Sequence, residues 1–336
     1  MSATTSVRPG VEGVQLDLRP VTATIGAEVV DLDLAGPLDE ATASALLDAL
    51  QQWRVLFFRN QHVGHAEHVA LANQLGGAVY THPFDDRPAP ATYPPEIHVD
   101  GHPEIYTIDH RWAQAKRVER ERTTGQSGYD NSYAGAHVDS GALVNPPSIS
   151  ILRAEVVPPF GGDTTWFNSV AAYEGLSEPI RRFVDTLWAE HKFGSDYDSY
   201  LDPTIAEYRI SHHPVARHIP ETGERSLFVT PVFTTRILDV TPDESRWILD
   251  RLFAELVRPG YGVRFKWEPG DVAISDNRTT VHVGPQDLAD DVHRIMHLTE
   301  VEGAVPIAVD GRRSVQIEGT SRRRSKLASD DSKRLQ

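Results

Sequence analysis

Residues 137–166 read HVDSGALVNPPSISILRAEVVPPFGGDTTW. The middle of this stretch, 148–157, alternates in the manner of a strand with one buried face. Pro146-Pro147 bounds it on one side and Pro158-Pro159-Phe160-Gly161-Gly162 on the other, both turn-forming. At its head stand His137 and Asp139. Two residues apart on extended backbone, they point to the same face and could hold one metal ion. A β-rich fold with chemistry at the lip of a strand is the reading that follows.

Working outward, 55–60 (VLFFRN) reads as a short buried strand, 104–109 (EIYTID) as another, and 21–34 as β-rich with a turn at Gly26. The spacing of Leu46, Leu47, Leu50 and Trp53 predicts a helix over 39–53, and 65–76 reads as a second helix ended by Gly76. In 241–260, Thr241 is a cap, Pro242 occupies the first helical position and Gly260 lies past the end. The segments 263–267 and 271–275, joined by Glu268-Pro269-Gly270-Asp271, are expected to form a hairpin. Six prolines crowd residues 82–103 and argue for irregular loop, while 111–135, polar and punctuated by glycine, reads as a surface loop or lid. Frequent Gly/Pro turns between strands suggest a β-sandwich or jelly-roll core with helices packed outside.

The chain has 336 residues, no cysteine and a net charge of −15. Disulfides, zinc fingers and Fe–S clusters are therefore excluded, and any metal must be held by imidazole and oxygen ligands. The charge disfavours a protein that tracks nucleic-acid phosphates, so no nucleic-acid partner is expected. No apolar run is long enough for a transmembrane helix, and the amino terminus lacks the apolar core of a signal peptide; no membrane association and a cytoplasmic setting are expected. The basic tail, 321–336, has six Lys/Arg against two Asp and is read as solvated and disordered. The expected organisation is a loose segment over 1–19, one catalytic domain over 20–310, and a tail over 311–336.

His-Val-Asp occurs twice, at 98–100 and at 137–139. With 15 histidines in the chain, roughly one His-x-Asp is expected by chance, so the tripeptide decides nothing alone. His98 and Asp100 lie in the proline-rich window and read as a solvated loop. His137 and Asp139 precede a strand, and far downstream GDVAISDNRTTVHVG (270–284) brings His282 after another. Arg294 follows twelve residues later. Two neutral imidazoles and one carboxylate make the facial triad of non-haem Fe(II) oxygenases, which leaves three positions open. A bidentate 2-oxo acid can take two and O2 the third. An arginine suits the far carboxylate of such an acid.

The set HVDSGALVNPPSISILRAEVVPPFGGDTTWFNSVAAYEGL (137–176), LFVTPVFTTRI (227–237) and WEPGDVAISDNRTTVHV…HRIMH (267–297) resembles the taurine dioxygenase family, and TIGAEV and VLFFRNQ (55–61) extend the likeness. The resemblance covers most of 20–303 and is weakest over 84–135. It implies an α+β, mainly β protein with a double-stranded β-helix (jelly roll) core and flanking helices. It implies an Fe(II)- and 2-oxoglutarate-dependent dioxygenase that oxidises a C–H bond of a small organic metabolite with O2, releasing succinate and CO2. Residue by residue, His137, Asp139 and His282 match the iron ligands. Thr164 and Arg294 match the groups that bind the distal carboxylate of 2-oxoglutarate. His82 matches a substrate-facing histidine, and Asn131 and Tyr133 lie where a substrate lid would close. Relatives of this kind are commonly dimers or tetramers, so a homo-oligomer is expected by analogy.

Two departures narrow the substrate. Relatives that oxidise taurine or alkyl sulfates carry an arginine for the sulfur oxyanion where this chain has Leu298. Without that charge-assisted partner a sulfonate should bind poorly, which argues against taurine. An aromatic residue often precedes Asp-Asn-Arg in the family; here it is Ser275. Two rival readings use the same triad. A zinc hydrolase would need a general base near metal-bound water and gives Arg294 no role, and a non-catalytic metal- or 2-oxo-acid-binding protein would keep the ligands but not the turnover.

Overall fold

A computed structural model of the chain describes residues 14–79, 98–99, 101–111, 135–192, 210–285, 287–289 and 292–318. Its largest sheet has nine strands, in the order Asp17–Pro20, Ala27–Val30, Val55–Phe58, Val272–Asp276, Ile149–Val156, Ile295–Val301, His102–Asp109, His98–Val99, with Ala78–Val79 also paired to Ile295–Val301. All pairs are antiparallel except Ala27–Val30 with Val55–Phe58. A three-stranded sheet, Gly262–Phe265, Thr164–Asn168 and Thr280–Val283, forms the facing wall. Between the two walls lie Phe57, Ala154, Trp166, Phe265, Trp267, Ala273 and Met296, a continuous apolar filling. The architecture is the jelly roll that the alternating strands imply.

The other face of the large sheet is covered by two helices. Glu40–Trp53 starts at Asp39, whose carboxylate accepts from the Thr42 amide, and buries Leu46, Ala49 and Leu50. His65–Gln74 buries Val69, Leu71 and Ala72 against Ile149, Ile151 and Ile105. A third long helix, Pro242–Leu256, begins with a reciprocal capping box between Thr241 and Glu244. It packs with Ser169–Gly175 over a second apolar cluster containing Phe228 and Val281. No described helix is long and apolar enough to cross a membrane.

Three expectations need correction. Gly262–Phe265 and Val272–Asp276 do not form a hairpin: the first pairs with Thr164–Asn168, the second with Val55–Phe58 and Ile149–Val156. Residues 266–271 instead carry the chain from one wall to the other, and buried Asp271 is held at the crossing by Arg59 at 2.5 Å. His98–Val99 is a short edge strand against His102–Asp109 rather than loop; Asp100 lies outside the described residues. The bounds expected at 20 and 310 are too narrow, because Asp17–Pro20 pairs with Ala27–Val30 and Val315–Glu318 with Ile210–Pro214. Most of the lid segment, 112–134, lies outside the described residues, as does 319–336.

Candidate metal centre

His137 and His282 are brought together by backbone. The amide of each donates to the carbonyl of the other, at 3.0 and 2.8 Å, forming an isolated antiparallel bridge. His282 belongs to Thr280–Val283, where Trp166 is its register partner. The two imidazoles stand with ring centroids 4.2 Å apart. Asp139 completes the group: its Oδ1 lies 3.5 Å from Nε2 of His137 and 3.5 Å from Nε2 of His282. His137 Nδ1 is 2.7 Å from the Gly135 carbonyl and donates to it in the neutral ring, which turns the unprotonated Nε2 toward Asp139.

Asp139 is clasped on several sides. The Asn277 side chain accepts from the Asp139 amide (2.9 Å) and donates to the Asp139 carbonyl (3.1 Å) and the Pro147 carbonyl (2.9 Å). Asn277 is five residues before His282, so one buried amide joins the two segments that supply the group. The second carboxylate oxygen, Oδ2, accepts from Ser150 Oγ at 2.5 Å. Ser275, the cross-strand partner of Ser150, donates to the Ser150 carbonyl at 3.4 Å.

These contacts set the charges. Burial alone would push the Asp139 carboxyl up, but His282, His137 and the Ser150 hydroxyl hold it well below the usual carboxylate range. Burial pulls His282 down to about 4, so this ring is neutral at neutral pH. His137 is opposed by burial too, yet its hydrogen bond and charge interaction with Asp139 leave it raised. An anionic carboxylate and two imidazoles converging on one point suit a borderline divalent metal such as Fe(II), and the donor set contains no thiolate that would favour a softer ion.

Arg294 meets the 162–164 segment, two residues from Thr164. Thr164 heads the strand two residues before Trp166, and its hydroxyl accepts from Trp267 Nε1 at 3.0 Å, which leaves its own proton to donate. Arg294 is 3% exposed, and its Nε donates to the Gly162 carbonyl at 3.0 Å. Gly162 lies at φ 79°, which favours glycine, and a Cβ there would press on the Arg294 side chain at 3.3 Å. With Nε anchored, the terminal nitrogens of the fork are those a carboxylate can engage. Burial lowers this guanidinium to about 10, with Asp163 and Asp287 partly offsetting it, and it stays cationic at neutral pH.

His82, Asn131 and Tyr133 lie outside the described residues. Leu298 sits in register between Tyr106 and Leu152, on the same face of the large sheet as Ser150. Sequence reading missed Ser150 and Asn277, whose roles arise only once strands far apart in the chain pair. It also missed a second group of two histidines and a carboxylate. His65, Glu155 and His297 offer ligand atoms within 4.8 Å of one another. By strand alternation they lie on the helix-covered face of the large sheet, opposite Ser150.

Comparisons agree with this geometry. Residues 17–299 match the family model for taurine catabolism dioxygenases, TauD, TfdA family. The chain is 34% identical to an alpha-ketoglutarate-dependent sulfate ester dioxygenase of Pseudomonas putida, over 90% of this chain and 94% of that protein. It is 32% identical to an alkylsulfatase of Acinetobacter baylyi, over 88% of each. Among solved structures, a taurine dioxygenase from Burkholderia xenovorans superposes with a TM-score of 0.75 at 40% identity, covering 91% of this chain and 95% of that one.

Proposed function

The chain belongs to the TauD/TfdA family of Fe(II)- and 2-oxoglutarate-dependent dioxygenases, and on that premise we propose that His137, Asp139 and His282 hold the iron while Thr164 and Arg294 bind the distal carboxylate of 2-oxoglutarate. One observation carries the ligand assignment: a single oxygen, Asp139 Oδ1, is equidistant at 3.5 Å from two imidazole Nε2 atoms. The enzyme oxidises a C–H bond of a small organic metabolite. Bound iron with 2-oxoglutarate supplies the oxidant: one atom of O2 enters the substrate and the other enters succinate, with loss of CO2.

The chain's own residues bind, orient and shield. Neutral His282 presents a lone pair without first losing a proton. Arg294 and Thr164 fix one end of the cosubstrate, so that its 2-oxo acid end is the part left to chelate. The apolar wall of Trp166, Trp267 and Met296 beside them keeps that region dry.

For the substrate, we assign a molecule other than taurine. Leu298, flanked by Tyr106 and Leu152, gives the wall an apolar side chain where sulfur-oxyanion recognition calls for a cation. His82, Asn131 and Tyr133 are assigned to substrate contact on the family resemblance. One catalytic domain, a cytoplasmic setting and a homo-oligomer belong to the same reading.

The test is spectroscopic and chemical. Anaerobic Fe(II) plus 2-oxoglutarate should give a visible charge-transfer band, and O2 should then yield succinate. Folded protein that shows neither would sink the assignment. Shifts of that band across amino acids, sulfonates and aryloxy acids would identify the substrate class, and a strong taurine response would refute the reading of Leu298.

A further inference from the structure

We infer that Ser150 restricts Asp139 to one-oxygen ligation and thereby keeps open the coordination positions that 2-oxoglutarate and O2 need. The inference rests on the ligand assignment above. A carboxylate can meet a metal through one oxygen or both. Here the two oxygens are in different hands: Oδ1 faces both imidazoles at 3.5 Å, and Oδ2 accepts from Ser150 Oγ at 2.5 Å, the range of a charge-assisted O–H···O⁻ bond. Ser150 is 4% exposed, near the start of Ile149–Val156, so its hydroxyl is shielded from bulk water. Its neighbour Ser275 directs its hydroxyl to the Ser150 carbonyl and is not a second donor to Asp139.

The backbone leaves the carboxylate little other freedom. Asn277 binds both the amide and the carbonyl of Asp139, so side-chain rotation is the remaining motion, and the Ser150 hydrogen bond stops it. The count of positions shows why this matters. Three protein atoms on a six-coordinate metal leave three sites, two for the 2-oxo acid and one for O2. A second carboxylate oxygen would take one of them. Ser150 is thus a positioning residue whose effect falls on cosubstrate binding rather than on holding the metal.

The test measures two constants separately, in anaerobic protein. Fe(II) is titrated first, then 2-oxoglutarate is titrated into the Fe(II)-loaded protein and read by the charge-transfer band. Ser150→Ala should bind 2-oxoglutarate about tenfold more weakly, the low end of the roughly 10–100-fold losses seen when a group orienting a metal ligand is removed, and should lose clearly less in Fe(II) affinity. Its band should also shift, as a change in ligand geometry requires. Ser150→Thr, which keeps the hydroxyl, should restore both. Ser150→Ala with wild-type 2-oxoglutarate affinity and an unshifted band would overturn the inference, as would equal losses of Fe(II) and 2-oxoglutarate. Asp139→Ala in parallel guards the premise: if it holds Fe(II) as wild type does, the ligand assignment fails rather than the role of Ser150.

Discussion

Among the described residues are two groups of two imidazoles and one carboxylate, and the strand Ile149–Val156 contributes to the surroundings of both. On its inner face Ser150 supports the His137–Asp139–His282 group; on its outer face Arg153 and Glu155 meet His65 and His297. Residue types are the same, yet the inner group is the one we assign to the metal. In the outer group a cation is already present. Arg153 Nη2 donates to His65 Nδ1 at 3.1 Å and lies 3.9 Å from Glu155 Oε2. His297 Nε2 is held by Glu155 at 2.6 Å and its Nδ1 by the Thr107 hydroxyl at 3.1 Å. The inner group has its own buried arginine, Arg294, but Gly162 anchors it. What separates the two is where the guanidinium sits: within the ring of ligands, or beside it.

The largest effect expected from breaking this contrast is on the inner side. Arg294→Met removes a charged hydrogen-bond partner worth about 1.5–3 kcal/mol, which corresponds to roughly 10–150-fold in 2-oxoglutarate affinity. Fe(II) affinity should stay at the wild-type level, since Arg294 is no ligand. Separate titrations of metal and cosubstrate check both. An Arg294→Met protein with unaltered 2-oxoglutarate affinity would remove the arginine from the site.

Much of the inner group was readable from the amino-acid sequence, because the chemistry dictates residue types and the strands that carry them announce themselves. His137, Asp139 and His282 stand beside alternating or apolar runs, and Arg294 follows at a short remove. The hairpin misread at 263–275 shows the limit. GVRF and VAISD flank a Pro-Gly turn and look locally like partners, but each finds a better partner about a hundred residues away or more. Pairing over such distances is decided by which faces can be buried together, and no local pattern records it. The outer group was invisible for the same reason: His65, Glu155 and His297 come from a helix start and two separate strands, with no motif among them.

A gain of function on the outer side would sharpen the comparison. With the inner group disabled by Asp139→Ala, the chain should bind no Zn2+ tightly, because Arg153 occupies the outer ligands. Adding Arg153→Met should create a site for about one Zn2+ per chain, since His65 and His297 are both lowered, chiefly by burial, and so neutral. Equilibrium dialysis of the two variants decides it. Stoichiometric Zn2+ on the Asp139→Ala protein, lost on His297→Ala, would break the distinction between the two groups.

The smallest effect is a proton. Burial depresses His282 to about 4, so near neutral pH it has no proton for a metal to displace. His137 is raised by Asp139 despite its burial, so below its shifted pKa a metal must expel one. The sign follows: affinity should climb with pH by at most about tenfold per unit while His137 is protonated, then level off above it. The window opens below 6.5, the ordinary histidine value, and extends above it, because the shift is upward. Calorimetry of Co2+ binding in two buffers of different ionisation enthalpy reads the proton directly. About one proton per metal should be released at pH 6, and progressively less as pH rises through the raised His137 pKa. Release of two at pH 6 would mean that His282 is also charged before the metal arrives. The inner group would then lack the unprotonated imidazole that lets it hold a metal while the outer group holds an arginine.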